Sequence, residues 1–285
     1  MNENRPVTVI RPHSGWLDLH LGELAHYKDL IFLFVKRNFV SLYKQTILGP
    51  AWAVIQPLLT TVVFSLIFGT IAGLAADGVP SFIFYLTANV IWAYFSTCLT
   101  TTSDTFIANS NILGKVYFPR LVMPISTVLS KLIDFAIQYS FMVIFVIYYA
   151  ITKQIHPNWY VLLPPLLLLQ LAMLSLGVGI IISAATTKYR DLRMLVTFGV
   201  QLWMYGTPVA YDMFSITGFA PGGKYYGIIM SNPVTPIVNI FRYAYLGIGQ
   251  IDWFYYGISW IVTIIVLFIG VVLFSRVEKT FMDTV

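Results

Sequence analysis

The chain has 285 residues, of which 58% are hydrophobic and only 10% charged, against about 25% charge in a soluble domain. That composition excludes an ordinary soluble protein and points to the bilayer. A net charge of +5 would suggest nucleic acid in a soluble chain, but in a membrane protein the cations mark cytoplasmic loops, so no nucleic-acid partner is expected.

Residues 1–26 carry Glu3, Arg5, Arg11, Asp18 and Glu23 without an apolar stretch or a small-residue cleavage site, and read as a cytoplasmic tail rather than a signal peptide. Residues 27–50, YKDLIFLFVKRNFVSLYKQTILGP, have helical period: Phe32, Val35, Phe39 and Leu42 fall on one face, Arg37, Ser41 and Lys44 on another. A basic amphipathic helix beside a span lies in the membrane interface, which puts Lys36, Arg37 and Lys44 toward lipid headgroups. It serves either as an anchor or as a docking surface for a soluble partner or a lipid-linked substrate. Gly49 and Pro50 break it before the bilayer.

A bilayer core of about 30 Å takes about 20 apolar helical residues. Residues 51–285 supply six such runs: Ala51–Gly73, Ser81–Thr102, Thr127–Ile151, Trp159–Thr186, Met194–Tyr211 and Tyr255–Phe274. The single cysteine, Cys98, lies in the second of them and excludes an intrachain disulfide and a cysteine-based metal cluster. Of the 17 Lys and Arg, only Lys153, Lys224 and Arg242 fall in the outer connections, so the positive-inside rule places both termini in the cytoplasm.

The cytoplasmic connection Asp104–Thr127 alternates apolar residues with Asn109, Asn111, Lys115 and Arg120 and carries Pro119 and Pro124. That pattern suits a short surface helix open to a soluble subunit. In the third run Lys131 and Asp134 have the spacing of an i,i+3 ion pair near the cytoplasmic end, rather than of a proton site at the midplane. The fourth connection, TTKYRDLR (Thr186–Arg193), is short and charged and suits the same face.

The fifth connection, Asp212–Phe254, is long, apolar and rich in Pro and Gly. Within it GFAPGGKYY (Gly218–Tyr226) has the G-x-x-x-x-G-K spacing of a phosphate loop, but Tyr225 stands where Ser or Thr must hold magnesium. A Gly/Pro turn accounts for it. Two short apolar segments joined by NPVTP predict a re-entrant hairpin over about 214–250 that gates the outer mouth; an amphipathic outer cap is the alternative. Aromatic residues make up 16% of the chain. Trp and Tyr pair a flat apolar face with a polar edge, which suits sliding contact with sugar rings as well as anchoring at the bilayer interface. Trp92, Tyr94, Trp203 and Tyr205 are the channel-facing candidates.

Five pieces occur in order from Tyr27 onward: YKQTILGPAWAVIQPL (Tyr43–Leu58), NILGKVYFPRLVMP (Asn111–Pro124), KYRD (Lys188–Asp191), GTPVAY (Gly206–Tyr211) and NPVTPIVNIFRYAYLG (Asn232–Gly247). Together they resemble the permease subunits of bacterial ABC exporters for lipid-linked polysaccharide, the group serving O-antigens, capsules and teichoic acids. The resemblance implies two permease chains paired with two cytoplasmic ATP-binding subunits, which hold the ATP and magnesium, so no cofactor is expected on this chain. It implies that Lys115, Tyr117, Phe118, Pro119 and Arg120, with Lys188, Tyr189, Arg190 and Asp191, couple to the ATP-binding subunit. Asn232, Pro233, Pro236 and Arg242 match the outer gate, and the N-terminal helix matches the interface helix where the lipid-linked substrate approaches.

A polyprenyl-linked glycosyltransferase or an acyltransferase is the rival from another class, but its chemistry needs acid, base or metal groups converging on one face. Here His13, His20, His26 and His156 are dispersed and the acids show no paired spacing. A permease for a small lipid or drug is the nearer alternative. The expected molecule is an all-α, six-span homodimer of the bacterial cytoplasmic membrane, a transport subunit with no catalytic or metal residues, moving lipid-linked polysaccharide and contacting membrane lipid.

Overall fold

The computed structural model describes residues 26–44, 49–113, 118–186 and 191–280, together with Leu24, Ile47 and Val116. Most of the N-terminal tail, and the candidates Lys115, Tyr117, Lys188, Tyr189 and Arg190, lie outside the described residues. Every regular element among the described residues is helical, as expected.

Helix α1 (Lys28–Tyr43) precedes the bundle. The first span opens with a 3-10 turn at Gly49–Ala51, runs through α2 (Trp52–Phe64) and ends as a π-helix over Ser65–Ile71. Helix α3 (Ser81–Ser103) returns, and two short helices, α4 (Thr105–Ala108) and α5 (Ser110–Leu113), follow it. Then come α6 (Val122–Ile151), a 3-10 turn at Trp159–Leu162, α7 (Pro164–Thr186) and α8 (Leu192–Tyr205). Helices α9 (Tyr226–Met230), α10 (Val234–Leu246) and α11 (Trp253–Thr280) are the last elements among the described residues.

Among the described residues five segments are long and apolar enough to cross a membrane: Gly49–Ile71, Ser81–Ser103, Val122–Ile151, Pro164–Thr186 and Trp253–Arg276. The departure is the expected run Met194–Tyr211. Helix α8 has 14 residues, about 21 Å at 1.5 Å per residue, short of a core of about 30 Å. The cause is local: a residue before proline is driven out of the helical region, and Pro208 has no N–H to continue the ladder. Turns follow from Gly206 to Tyr225.

Helix α3 is the axis of the bundle. Ile83 through Trp92 are all buried, as a helix apolar on every side requires, and α2, α6, α7, α8 and α10 pack around it. Helix α7 joins α3 to α11 through glycines. A Cβ on Gly177 would lie 2.8 Å from Leu267 Cα, one on Gly270 2.7 Å from Gly177 O, and one on Gly179 2.6 Å from Thr102 Cβ. In lipid, where no hydrophobic force drives helices together, such close van der Waals contact holds them. Gly177→Val is therefore expected to push α11 off α7 at a cost of about 1–3 kcal/mol, read as a lower melting temperature in detergent. Gly257→Ala is the control, because nothing lies within 4 Å of a Cβ there, and it should melt with the wild type.

The bundle has two ends. The basic end holds Arg37, Arg120, Arg193 and Arg276; the far end holds the 72–80 and 152–163 connections and the C-terminus of α10, whose Leu246 O accepts from His156 N–H and whose Ala244 O accepts from Asn158 N–H.

Candidate functional site

Beyond the last turn of α8, Thr207, Pro208, Val209 and Ala210 are buried without being helical. Their carbonyls have lost helical donors, and a buried polar group left unpaired costs about 1–3 kcal/mol. The donors come from the NPVTP turn and α10. Arg242, 4% exposed, donates from Nη1 to Pro208 O (2.5 Å) and Tyr211 O (3.2 Å) and from Nη2 to Val209 O (2.8 Å). Its guanidinium carbon sits 3.7 Å from the centroid of the Phe84 ring of α3, whose negative face favours a desolvated cation.

Asn232 closes the same helix end. Its Nδ2 donates to Gly206 O (3.0 Å) and Thr207 Oγ1 (2.8 Å), while its Oδ1 accepts from Trp203 Nε1 (3.0 Å) and Val234 N–H (3.1 Å). Both amide hydrogens and the oxygen of this half-buried Asn are in use. Pro233 O accepts from Ser259 Oγ (2.6 Å), which accepts in turn from Gln170 Nε2 (2.7 Å), so the turn is pinned to α11 and α7. Pro236 falls in the first turn of α10, where its missing N–H costs nothing. All of α10 except Tyr243 is buried. The structure thus brings Asn232, Pro233, Pro236 and Arg242 together around one broken helix, and adds Trp203, one of the channel-facing candidates.

The segment from Arg193 to Asp212 runs beside α3 along its length. At the basic end Arg193 pairs with Asp104 (2.7 Å) just past the last turn of α3; at the far end Asp212 N–H donates to Leu74 O (2.8 Å).

The four aromatic candidates do not share a site. Trp92 and Tyr94, both nearly buried, line a cavity of about 500 Å³ between α1, α2, α3 and α6. Trp203 is held by Asn232 and packs on Phe95, and Tyr205 is exposed on α8. Trp52, Gln56, Asn89 and Gln138 also line the cavity and were not anticipated; no periodicity in the sequence marks them.

At the basic end α1 packs on α6 and buries Phe34, whose ring lies 5.8 Å from that of Phe118. Lys36 and Lys44 are exposed, with Phe32 and Leu42. Arg37 departs from the expected headgroup position: it donates to Asn109 Oδ1 (3.2 Å) and lies 4.6 Å over the Phe34 ring. A protein amide and an aromatic face compete successfully with lipid for a guanidinium. Tyr43 Oη donates to Asp134 Oδ1 (2.6 Å), and Lys131 Nζ donates to Asp134 Oδ2 (3.1 Å), the ion pair the spacing predicts. Burial, and then that bond to Asp134, push the Tyr43 phenol up, so it stays a neutral donor at physiological pH.

Of the coupling candidates, Phe118 and Arg120 are buried within the chain and Pro119 is half-buried, whereas Asp191 is exposed. An aromatic ring in this loop gains more by burial under α1 than by exposure. Among the described residues of this loop Ala108, Asn111 and Val116 are exposed.

Residues 29–246, from α1 to the end of α10, match the family described as ABC-2 type transporter. Two O-antigen export system permease proteins RfbA of Klebsiella pneumoniae are 27% and 25% identical over 261 residues, covering 91% of this chain and 96% of each relative. The O-antigen export system permease protein RfbA of Myxococcus xanthus is 28% identical over 195 residues, 68% of this chain and 72% of the relative. Clamp, cavity and the Asp104–Arg193 pair all fall inside the matched region, and the chain belongs to the ABC-2 type transporter family as a permease subunit.

Proposed function

We propose that this permease forms half of the channel of an ATP-driven exporter and passes lipid-linked polysaccharide of the O-antigen type across the bacterial cytoplasmic membrane. A second copy supplies the other half, and two ATP-binding subunits carry the ATP and magnesium. The single observation that carries the reading is the broken end of α8, whose Gly206, Pro208 and Val209 carbonyls are paired by Asn232 and Arg242. Backbone at membrane depth is left unwound only where protein shields it or a watery path needs it.

On this reading α8 and its unwound continuation are the sixth passage, since they link Asp104 at one end to Leu74 at the other. Both termini then lie on the basic side, which is the cytoplasm by the positive-inside rule. Helices α9 and α10 are the re-entrant hairpin, and the Asn232–Arg242 clamp sets the outer mouth. The segments around Lys115–Arg120 and Lys188–Asp191 face the ATP-binding subunits. The substrate class comes from the relatives' names, O-antigen export permeases over nearly their whole length.

Cells lacking the chain are expected to accumulate finished lipid-linked polymer inside while the surface stays bare, as followed by fractionation and surface labelling. If no polymer is made at all, the chain serves biosynthesis; if the surface is unchanged, the cargo is not a major surface glycan.

A further inference from the structure

We propose that the cavity between α1, α2, α3 and α6 is a binding site, contained within one chain, for an uncharged sugar unit of the exported glycan. The proposal rests on the exporter reading and specifies where the glycan is held.

The cavity's size, about 500 Å³, falls within the roughly 300–1,000 Å³ of small-ligand sites. Its lining decides what it takes. It holds one cation and one anion, Lys131 and Asp134, and these pair with each other at 3.1 Å. Among the described residues a phosphate or pyrophosphate finds no unpaired cation there. A hydrocarbon tail is poorly matched as well, because the walls carry polar side chains already oriented for a partner.

Asn89 is 5% exposed, and its Nδ2 donates to Thr61 Oγ1 (3.0 Å), which fixes the amide and leaves Oδ1 to accept. Asp134 is aimed by Tyr43 and Lys131, yet each carboxylate oxygen keeps a further lone pair. Gln138 Oε1 is buried without a partner, a state that needs an explanation in a folded protein. Beside these acceptors stand the rings of Trp52, half-exposed at the open side, and Trp92.

Hydroxyls to bind fixed acceptors, and a C–H face to lie on an indole, are the two properties a sugar ring combines. The site reaches from Tyr43, at the end of the interface helix, to Asn89 in the middle of α3. A glycan held there is engaged inside the membrane domain.

The test uses the permease assembled with its ATP-binding subunit in nanodiscs, titrated calorimetrically with surface glycan freed from its lipid by mild acid. Wild type should bind saturably. Gln138→Met removes the unpaired oxygen at nearly constant shape, and Trp52→Ala removes an indole from the exposed side of α2. Each is expected to weaken binding about tenfold, the worth of one good contact. The melting temperature should stay level for Trp52→Ala and should not fall for Gln138→Met, because deleting an unsatisfied buried group relieves rather than creates a penalty.

Unchanged affinity in both variants overturns the proposal. So does saturable binding of a polyprenyl phosphate that both variants lose, which would make this a lipid site. A wild-type complex that binds no glycan, in a system where deletion strips glycan from the surface, overturns the cavity alone. A deletion strain with normal surface glycan overturns the cavity and the exporter reading together.

Discussion

Arg242→Leu is expected to abolish glycan display at the cell surface and to lower the melting temperature of the purified permease sharply. The substitution strips donors from Pro208 O, Val209 O and Tyr211 O in a region from which water is excluded. At about 1–3 kcal/mol for each orphaned group the loss is on the order of 3 kcal/mol or more, which places it in the severe tail of single substitutions. Arg242→Lys separates charge from geometry. Lysine keeps the cation but offers a compact ammonium in place of a planar fork, and cannot span three carbonyls that diverge from one turn. It should fold with reduced stability and still fail to restore export. The measurements are thermal unfolding in detergent and surface labelling of glycan in cells. An Arg242→Leu protein that melts with the wild type and exports normally would remove the clamp from the mechanism.

Much of this architecture was legible in the sequence, and the part that was not has a physical explanation. A run such as Pro164–Thr186 announces itself because a bilayer demands length and apolarity from one continuous helix. The same window treats Met194–Tyr211 as an equal, since hydropathy measures composition and is blind to whether the backbone stays wound; the warning was the Thr207–Pro208 step. Asn232, Pro233, Pro236 and Arg242 stood out as a group through the family resemblance, in a connection whose Pro-rich apolar sequence is locally odd. Their partners did not, because Phe84, Trp203 and Pro208 are far away in the chain and no period connects them. Arg37 and Phe118 show the same limit at the basic end. Helical periodicity assigns Arg37 to a surface and the resemblance assigns Phe118 to a coupling segment; neither carries the tertiary contacts with Asn109 and Phe34.

Reversing the charge of Arg193 is expected to uncouple ATP hydrolysis from export, and reversing Asp104 as well is expected to restore it. The two meet at 2.7 Å, with side chains 60% and 19% exposed respectively. A pair so open to solvent adds no more than about 0–1 kcal/mol to stability, so a purely structural role predicts almost no phenotype. Its position argues otherwise. Asp104 links α3 to the short helices α4 and α5, where Asn109 also receives Arg37 from α1. Arg193 begins the segment that ends at the Arg242 clamp. On the proposed exporter reading the pair is a direct polar contact, among the described residues, by which displacement of the 104–121 connection would reach α8. Arg193→Asp sets two carboxylates against each other and biases α8 away from α3, and coupling energies of about 1–3 kcal/mol translate into changes of fivefold or more. The expected result in reconstituted complexes is ATPase activity that persists while glycan export falls by on the order of fivefold, with a melting temperature close to wild type. Asp104→Arg should do the same, and the double variant Asp104→Arg/Arg193→Asp should recover export, because only the double variant rebuilds an ion pair in the same place. Wild-type export in the single variants, or no recovery in the double variant, would mean that motion reaches the outer mouth by another route.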